Sequence, residues 1–286
     1  MTTFSQVIDR TRRRLMTQQR EPINTLSNGI DAVDTALSST HSVRFVEGAR
    51  LSIGLEDMHT VPVSSGFTSA TVIRAVDGST AATHTTGDLV RVNPTWSNWE
   101  IAQAVNDELA SLSSPMNGLF RIRSTEFDFI PATSGYNLAG LEDFLDVWRV
   151  RYDTPGPEED WPVIQRRFWR IDHAADTGDF AAGVQLVLSD GGYPGHPVRV
   201  SYKASFDPLT ALGDDIAAAA GLHAEAHDIL SIGAAIRLLS GQEAQRSYTT
   251  TQADPPAPEE VPPRTAVGAL VPLVERREER IRERQG

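Results

Sequence analysis

The sequence predicts an α+β fold: a helical scaffold drawn from both ends of the chain, two β insertions between them, and an extended C-terminal arm. Three observations predict it. Phe4, Val7, Ile8, Thr11 and Leu15 recur at helical spacing near one end, and Ile229, Leu230, Ile232, Ala235, Ile236 and Leu239 form a broad apolar face near the other. Two intervening regions break into short runs rich in Val, Ile and Thr, punctuated by Gly and Asp. Beyond residue 246, Pro255, Pro256, Pro258, Pro262 and Pro263 exclude helix and favour an extended spacer.

In chain order, residues 1–40 read as an N-terminal helix over 3–20 and a linker. Pro22 limits the helix, because the residue before a proline disfavours the α region. Residues 41–95 read as a small β-barrel, with strands at 41–45, 50–55, 59–64, 69–76 and 88–92. Turns are expected at Glu47-Gly48, Glu56-Asp57, Ser65-Gly66 and Asp77-Gly78. Asn93-Pro94 closes the barrel, and within 96–117 a scaffold helix runs over 98–111 with Ser97 as its N-cap. Residues 118–207 read as a β-sandwich with strands at 119–124, 126–131, 143–152, 162–174, 183–188 and 197–206. Over 208–246 two antiparallel scaffold helices, 208–220 and 223–245, flank Gly221. Residues 247–286 form the Pro-containing arm.

Composition bounds the function. With 286 residues, 40% hydrophobic and 22% charged, the chain is neither disordered nor fibrous. No stretch approaches the apolar length of a membrane span, and no apolar core follows Arg12-Arg13-Arg14, so neither membrane insertion nor a secretory signal is expected. Cysteine is absent, which excludes disulfides, thiolate metal sites and cysteine nucleophiles. The net charge of −12 is unevenly spread. Residues 1–20 hold five Arg against one Asp, and 264–286 hold six Arg against four Glu; the other 15 cationic and 33 acidic residues lie between them. So acidic a middle repels nucleic acid. It serves solubility, or it lets DNA pass without sticking.

Candidate chemistry is sparse. His223 and His227 stand one helical turn apart, a metal-ligand spacing, but Glu225 between them points off their face, so the pair reads as a polar helix start. Asp190-Gly-Gly-Tyr-Pro-Gly-His196 suits a metal or a sugar, and equally a hairpin turn using Gly for positive φ. Glu158-Glu159-Asp160 lacks the spacing of a calcium loop and reads as solvated. Trp148, Trp161 and Trp169 read as sandwich core rather than a sugar-stacking platform. Walker, Gly-x-Ser-x-Gly and Gly-x-Gly-x-x-Gly motifs are missing. No enzyme, cofactor or metal site is expected.

The stretch 73–90, Ile-Arg-Ala-Val-Asp-Gly-Ser-Thr-Ala-Ala-Thr-His-Thr-Thr-Gly-Asp-Leu-Val, is distinctive. It resembles a Val-x-Arg-Gly-x-x-Gly-Thr-x-Ala-x-x-His-x-x-Gly-x-x-Val pattern of neck and baseplate proteins of tailed bacteriophages. It departs by Ala75 in place of Gly and by Ser79 inserted before Thr80. The preceding 48–58 resembles the strand and turn that lead into that pattern. The helix at 3–20, the Asn93-Pro94 junction and the segment 233–241 resemble head-to-tail adaptor proteins of actinobacterial phages. The resemblance covers roughly half the chain; the sandwich is generic.

The resemblance implies a structural virion protein at the neck, made in the host cytoplasm. It implies a homo-oligomeric ring of about 12 copies under the portal protein, which extends the DNA channel and receives the next neck or tail protein. Another neck or baseplate protein, such as a stopper, and a carbohydrate-binding sandwich module are the alternatives. His84 is expected to hydrogen-bond within its loop. Glu100, Asp107, Glu108, Asp214 and Asp215, on the expected scaffold helices, are the candidate acidic channel lining.

The arm supplies the candidate binding segment. Tyr248, Thr249 and Thr250 begin a β-prone strip suited to adding to a partner's sheet edge. Leu270, Val271, Leu273, Val274 and Ile281 are too few for a core, and 275–284 alternates charge as a solvated helix does. The segment is therefore expected to order on the portal or on a neighbouring subunit.

Overall fold

The computed structural model describes residues 1–15, 21–42, 45–61, 68–133, 135–154, 161–181, 183–189, 193–250 and 264–285, with backbone alone for 242–250 and 264–269. The chain is α+β and divides into two compact units. Unit 1 comprises Met1–Ser111 and Asp207–Gly286; unit 2 is Leu112–Phe206.

Unit 1 begins with α1 (Phe4–Leu15), whose apolar stripe buries Phe4, Val7 and Ile8 while arginines occupy its last turn. Its first N–H groups, which no helix can satisfy internally, find backbone partners: Phe4 N donates to Asp214 O at 2.9 Å and Ser5 N to Leu212 O at 3.0 Å. This use of the 208–215 backbone explains a difference from the sequence expectation. Instead of a helix over 208–220, only α3 (Ile216–Ala219) is helical, capped by the Asp215 carboxylate on Ala218 N. Upstream of α3, Asn106 grips Leu209 through both its side-chain amide groups, at 2.9 Å each.

The β part of unit 1 contains β1 (Ile23–Thr25), β2 (Ala36–Ser38), β3 (Arg50–Ile53), β4 (Glu56–Thr60), β5 (Ser69–Ile73) and β6 (Leu89–Val92). They form one curled sheet in the order β1-β6-β3-β4-β5-β2. The Leu26–Ser39 bridge and the Thr40 N to Thr25 O bond bring the two edges together. Edge strands β1 and β2 lie in the stretch expected to be linker, so the barrel starts near residue 23 rather than 41. Each is three residues long, too short for period-2 alternation to register. Leu26, Leu37, Leu51, Ile53, Met58, Val72 and Val90 fill the interior. Each such burial removes about 1.5–3 kcal/mol of apolar exposure from water.

Helix α2 (Asn98–Leu112) follows a capping box: Glu100 N donates to Ser97 Oγ at 3.1 Å and Ser97 N to the Glu100 carboxylate at 2.8 Å. Helix α4 (His227–Thr250) is buried all round over Ile229–Ala235, as a central helix must be. It packs against α1 on one side and against α5 (Arg264–Gln285) on the other.

Unit 2 holds two three-stranded antiparallel sheets. One is ordered β7 (Arg121–Asp128), β12 (Pro197–Ala204), β9 (Phe144–Tyr152); the other is β10 (Trp169–Asp172), β11 (Gln185–Leu188), β8 (Tyr136–Asn137). Their inner faces share one core of Val147, Val150, Trp169, Leu186, Val198 and Val200. The rings of Phe127 and Tyr136, one from each sheet, stack at 4.0 Å. Single strand β7 replaces the two expected over 119–131, and β10 is shorter than the run expected over 162–174. Trp169 is core at 5% exposure, but Trp148, expected in the core, is 51% exposed. A register shift between Ser201 and Tyr202, opposite it, turns Trp148 to the outer face.

Candidate functional site

The distinctive stretch 73–90 is organised around Glu56, a residue expected to sit in a turn. The turn falls instead at Gly54, at φ +59, which places Glu56 and Asp57 on β4, both fully buried. Burying a carboxylate requires a cation and donors. Glu56 has them: Arg74 Nε and Nη2 reach its two oxygens at 2.6 and 2.7 Å, a bidentate pair. Ala82 N donates at 3.0 Å and His84 Nε2 lies at 2.9 Å. Burial raises the Glu56 pKa, but the hydrogen bonds from Arg74, Ala82 N and His84 outweigh it and hold the carboxyl below its ordinary value.

Arg74 spends its remaining donors on the backbone. Nη1 donates to the Asp31 and Asp34 carbonyls and Nη2 to Ala82 O. His84 exchanges backbone bonds with Ile30 at 2.9 Å each way, and its ring bonds Glu56 on β4 rather than, as expected, a partner within its own loop. Asp77 and Gly78 both take positive φ between Val76 O and Ser79 N, as a type I′ turn requires. Ala75 also has positive φ, +54. The motif's glycine position therefore falls on left-handed backbone, where this chain carries an alanine. With both oxygens of Glu56 engaged, the constellation is a clamp that ties 31–34, 56 and 74–84 together.

Beside the clamp lies an open cleft of about 480 Å³ lined by Asp9, Gly54, His84, Asp88, Arg91 and Asn98 among others. A second ionic knot closes the neighbouring edge: Arg50 pairs with buried Asp57 at 2.6 Å and with Glu100 at 2.8 Å.

The five candidate channel acids are not equivalent. Glu100 is committed to Arg50 and to the Ser97 cap. Asp214 accepts from Thr210 N and Ala211 N, and Asp215 caps α3. Glu108, at 2% exposure, is paired with Arg237 at 3.2 Å and Arg277 at 2.5 Å, so it lines no surface. Its place in the lining is corrected: its charge serves to dock α5. Asp107 is exposed.

The arm also differs from expectation. Tyr248, Thr249 and Thr250 are the last residues of helix α4 rather than an extended strip. Leu270, Val271, Leu273, Val274 and Ile281 lie on α5, which packs on its own subunit. Ile281 is buried, Leu270 and Leu273 are half-buried, and Val271 and Val274 are exposed. The arginines expected to be solvated make the difference: Arg277 reaches Glu108, Arg280 reaches Asp228 at 3.2 Å, and Arg284 reaches Glu225. The Pro-rich spacer over 254–263 lies outside the described residues.

His223 is exposed and accepts from Glu225 N, whereas His227 is buried against Leu222 O at 3.3 Å. The two rings thus face different surroundings. Among the described residues no group of three or more His, Asp or Glu gathers at metal-binding distance. Asp190 and 158–160 lie outside the described residues; His196 N donates to Tyr193 O in a turn with Gly195 at φ +77. No helix among the described residues is long and apolar enough to cross a membrane.

Sequence reasoning missed Glu56, Arg50 and Arg277. The signal available for Glu56 was an acid amid apolar Leu51, Ile53 and Met58 with Arg74 and His84 downstream, a pattern that ion pairing across strands explains. No protein-family model matches the chain, and comparison with curated proteins finds no match.

Proposed function

We propose that this chain is a structural virion protein, a head-to-tail adaptor of a tailed bacteriophage that forms a ring beneath the portal. In this reading the ring extends the DNA channel and carries the next neck or tail protein. The observation that carries the proposal is the Glu56–Arg74–His84 clamp. It engages the residues on which the resemblance rests, Arg74 and His84, in holding the curled sheet together rather than in chemistry. A rigid β module beside the α1–α4 helix pair suits an assembly part. The acidic excess of the chain suits DNA passing without adhesion.

The curled sheet also supports a second reading. That module is the part of the resemblance shared with neck stoppers and baseplate proteins, so a position one layer further from the portal fits the same residues. Adding purified protein to portal-containing heads that lack it separates the two. An adaptor attaches to the heads directly, whereas a stopper attaches only after another neck protein has bound.

A further inference from the structure

The chain contains two Asn-Gly pairs, Asn28-Gly29 and Asn117-Gly118. An asparagine before glycine is prone to cyclise, because the next backbone nitrogen, once deprotonated, can attack Cγ with no Cβ in its way. The Cγ–N bond of the carboxamide breaks, ammonia leaves and a five-membered succinimide closes. Water then opens the ring at either carbonyl. One opening gives aspartate; the other gives isoaspartate, whose main chain runs through Cγ and is one methylene longer. The balance is asparagine plus water to acid plus ammonia, with no oxidant or reductant.

The fold treats the two pairs in opposite ways. Gly118 N donates to Ser114 O at 2.8 Å in the turn after α2, with Gly118 at φ +61, and Asn117 is half-buried. That nitrogen keeps its proton until the turn opens. Asn28 and Gly29 are both exposed, and neither the Asn28 carboxamide nor the Gly29 N–H has a hydrogen-bond partner. Glycine has a separate reason to stand at 29: a Cβ there would come 3.1 Å from His84 O. The Asn28 carboxamide holds nothing in place.

This reactive pair links two anchors. Ser27 N donates to Ser38 O at 2.9 Å, and Ile30 exchanges backbone bonds with His84 at 2.9 Å each way. The His84 ring in turn meets Glu56 at 2.9 Å. One extra C–C bond lengthens the link by about 1.5 Å. A 2.9 Å hydrogen bond displaced that far is no longer a hydrogen bond.

We propose that Asn28 is a site of spontaneous modification, where rearrangement to isoaspartate parts Ile30 from His84 and so loosens the Glu56 clamp. The change adds one negative charge and weakens the curled sheet with no other molecule than water taking part. Asn117, with the same neighbour, is the internal control.

The full chain, held folded in mildly alkaline H₂¹⁸O and mapped by peptide mass spectrometry, tests the site. Asn28 should take up one ¹⁸O at least about tenfold faster than Asn117, the factor that one retained hydrogen bond supplies. In urea, where both pairs are simply Asn-Gly, the two rates should converge. No label at Asn28, or equal rates at the two sites in the folded chain, would overturn the proposal. The consequence is read on the isoaspartate-28 fraction after chromatographic separation. Its amides at Ile30 and His84 should exchange at least about tenfold faster than in fresh protein, one hydrogen bond having been lost at each. Freshly made Asn28→Asp, which adds the charge without the methylene, should exchange as wild type does. Undiminished protection of Ile30 and His84 in the isoaspartate fraction would overturn the loosening of the clamp, as would equal loss of protection in Asn28→Asp.

Discussion

Gly233 of α4 faces the Glu108 side chain of α2 so closely that a Cβ at 233 would overlap the carboxylate. The absence of a side chain there lets a buried acid sit between helices, where Arg237 and Arg277 neutralise it. Because Glu108 is pinned from both sides, Gly233→Ala cannot be accommodated by a simple rotation. The substitution should cost about 1–3 kcal/mol by overpacking, measured by urea denaturation. It should also loosen α5, seen as faster amide exchange over 270–285.

Glu56→Gln should lower stability by about 3 kcal/mol, because Arg74 then keeps a buried charge with no counter-charge. Arg74→Met in the same chain should recover part of that loss, since removing both charges is less costly than removing one. The double-mutant cycle in denaturant checks both values. Additive losses would show that the pair does not interact.

Acidification should destabilise the protein in two windows. Burial pushes the His227 imidazole below its ordinary value of 6.5, with Leu222 O and Asp215 only partly opposing it. The unfolded chain therefore takes up a proton before the folded one, and stability falls as pH drops from 6.5 toward the lowered value. The Glu56 carboxyl is held below its ordinary 4.5, so its contribution is intact above that pH and is lost as pH falls through the folded value. His227→Gln should abolish the first loss and spare the second, followed by thermal melts across pH.

Ala75→Gly should stabilise the protein. A left-handed alanine costs about 1–2 kcal/mol, and glycine returns about 0.5–1 kcal/mol of that as unfolded-state entropy. A net gain near 0.5–1 kcal/mol in denaturation is expected, about the value of one hydrogen bond.

Much of the architecture was legible in the sequence because it rests on local signals. Ser97 marks a helix start, Asp77-Gly78 a tight turn, and residues 197–206 a strand. What escaped depends on partners distant in sequence. Glu56 and Asp57 look like turn residues until Arg74 and Arg50 cross the sheet to them. The 208–215 segment has a helical composition, yet its carbonyls cap α1, some 200 residues away. The β-branched residues at 249–250 are helical, continuing a helix already stabilised by packing upstream, an override of weak propensity. The charged run over 275–284 reads as solvated because its ion-pair partners, Glu108, Asp228 and Glu225, lie on other elements.

The most direct test of the proposed function is electron cryomicroscopy of intact particles carrying this protein, with the symmetry of the neck left unimposed. The account expects a closed ring directly under the portal, about 12 copies and about 370 kDa from 31.2 kDa per chain, with its channel open to DNA. Density for this chain away from the neck, or a single copy with no ring, would contradict it.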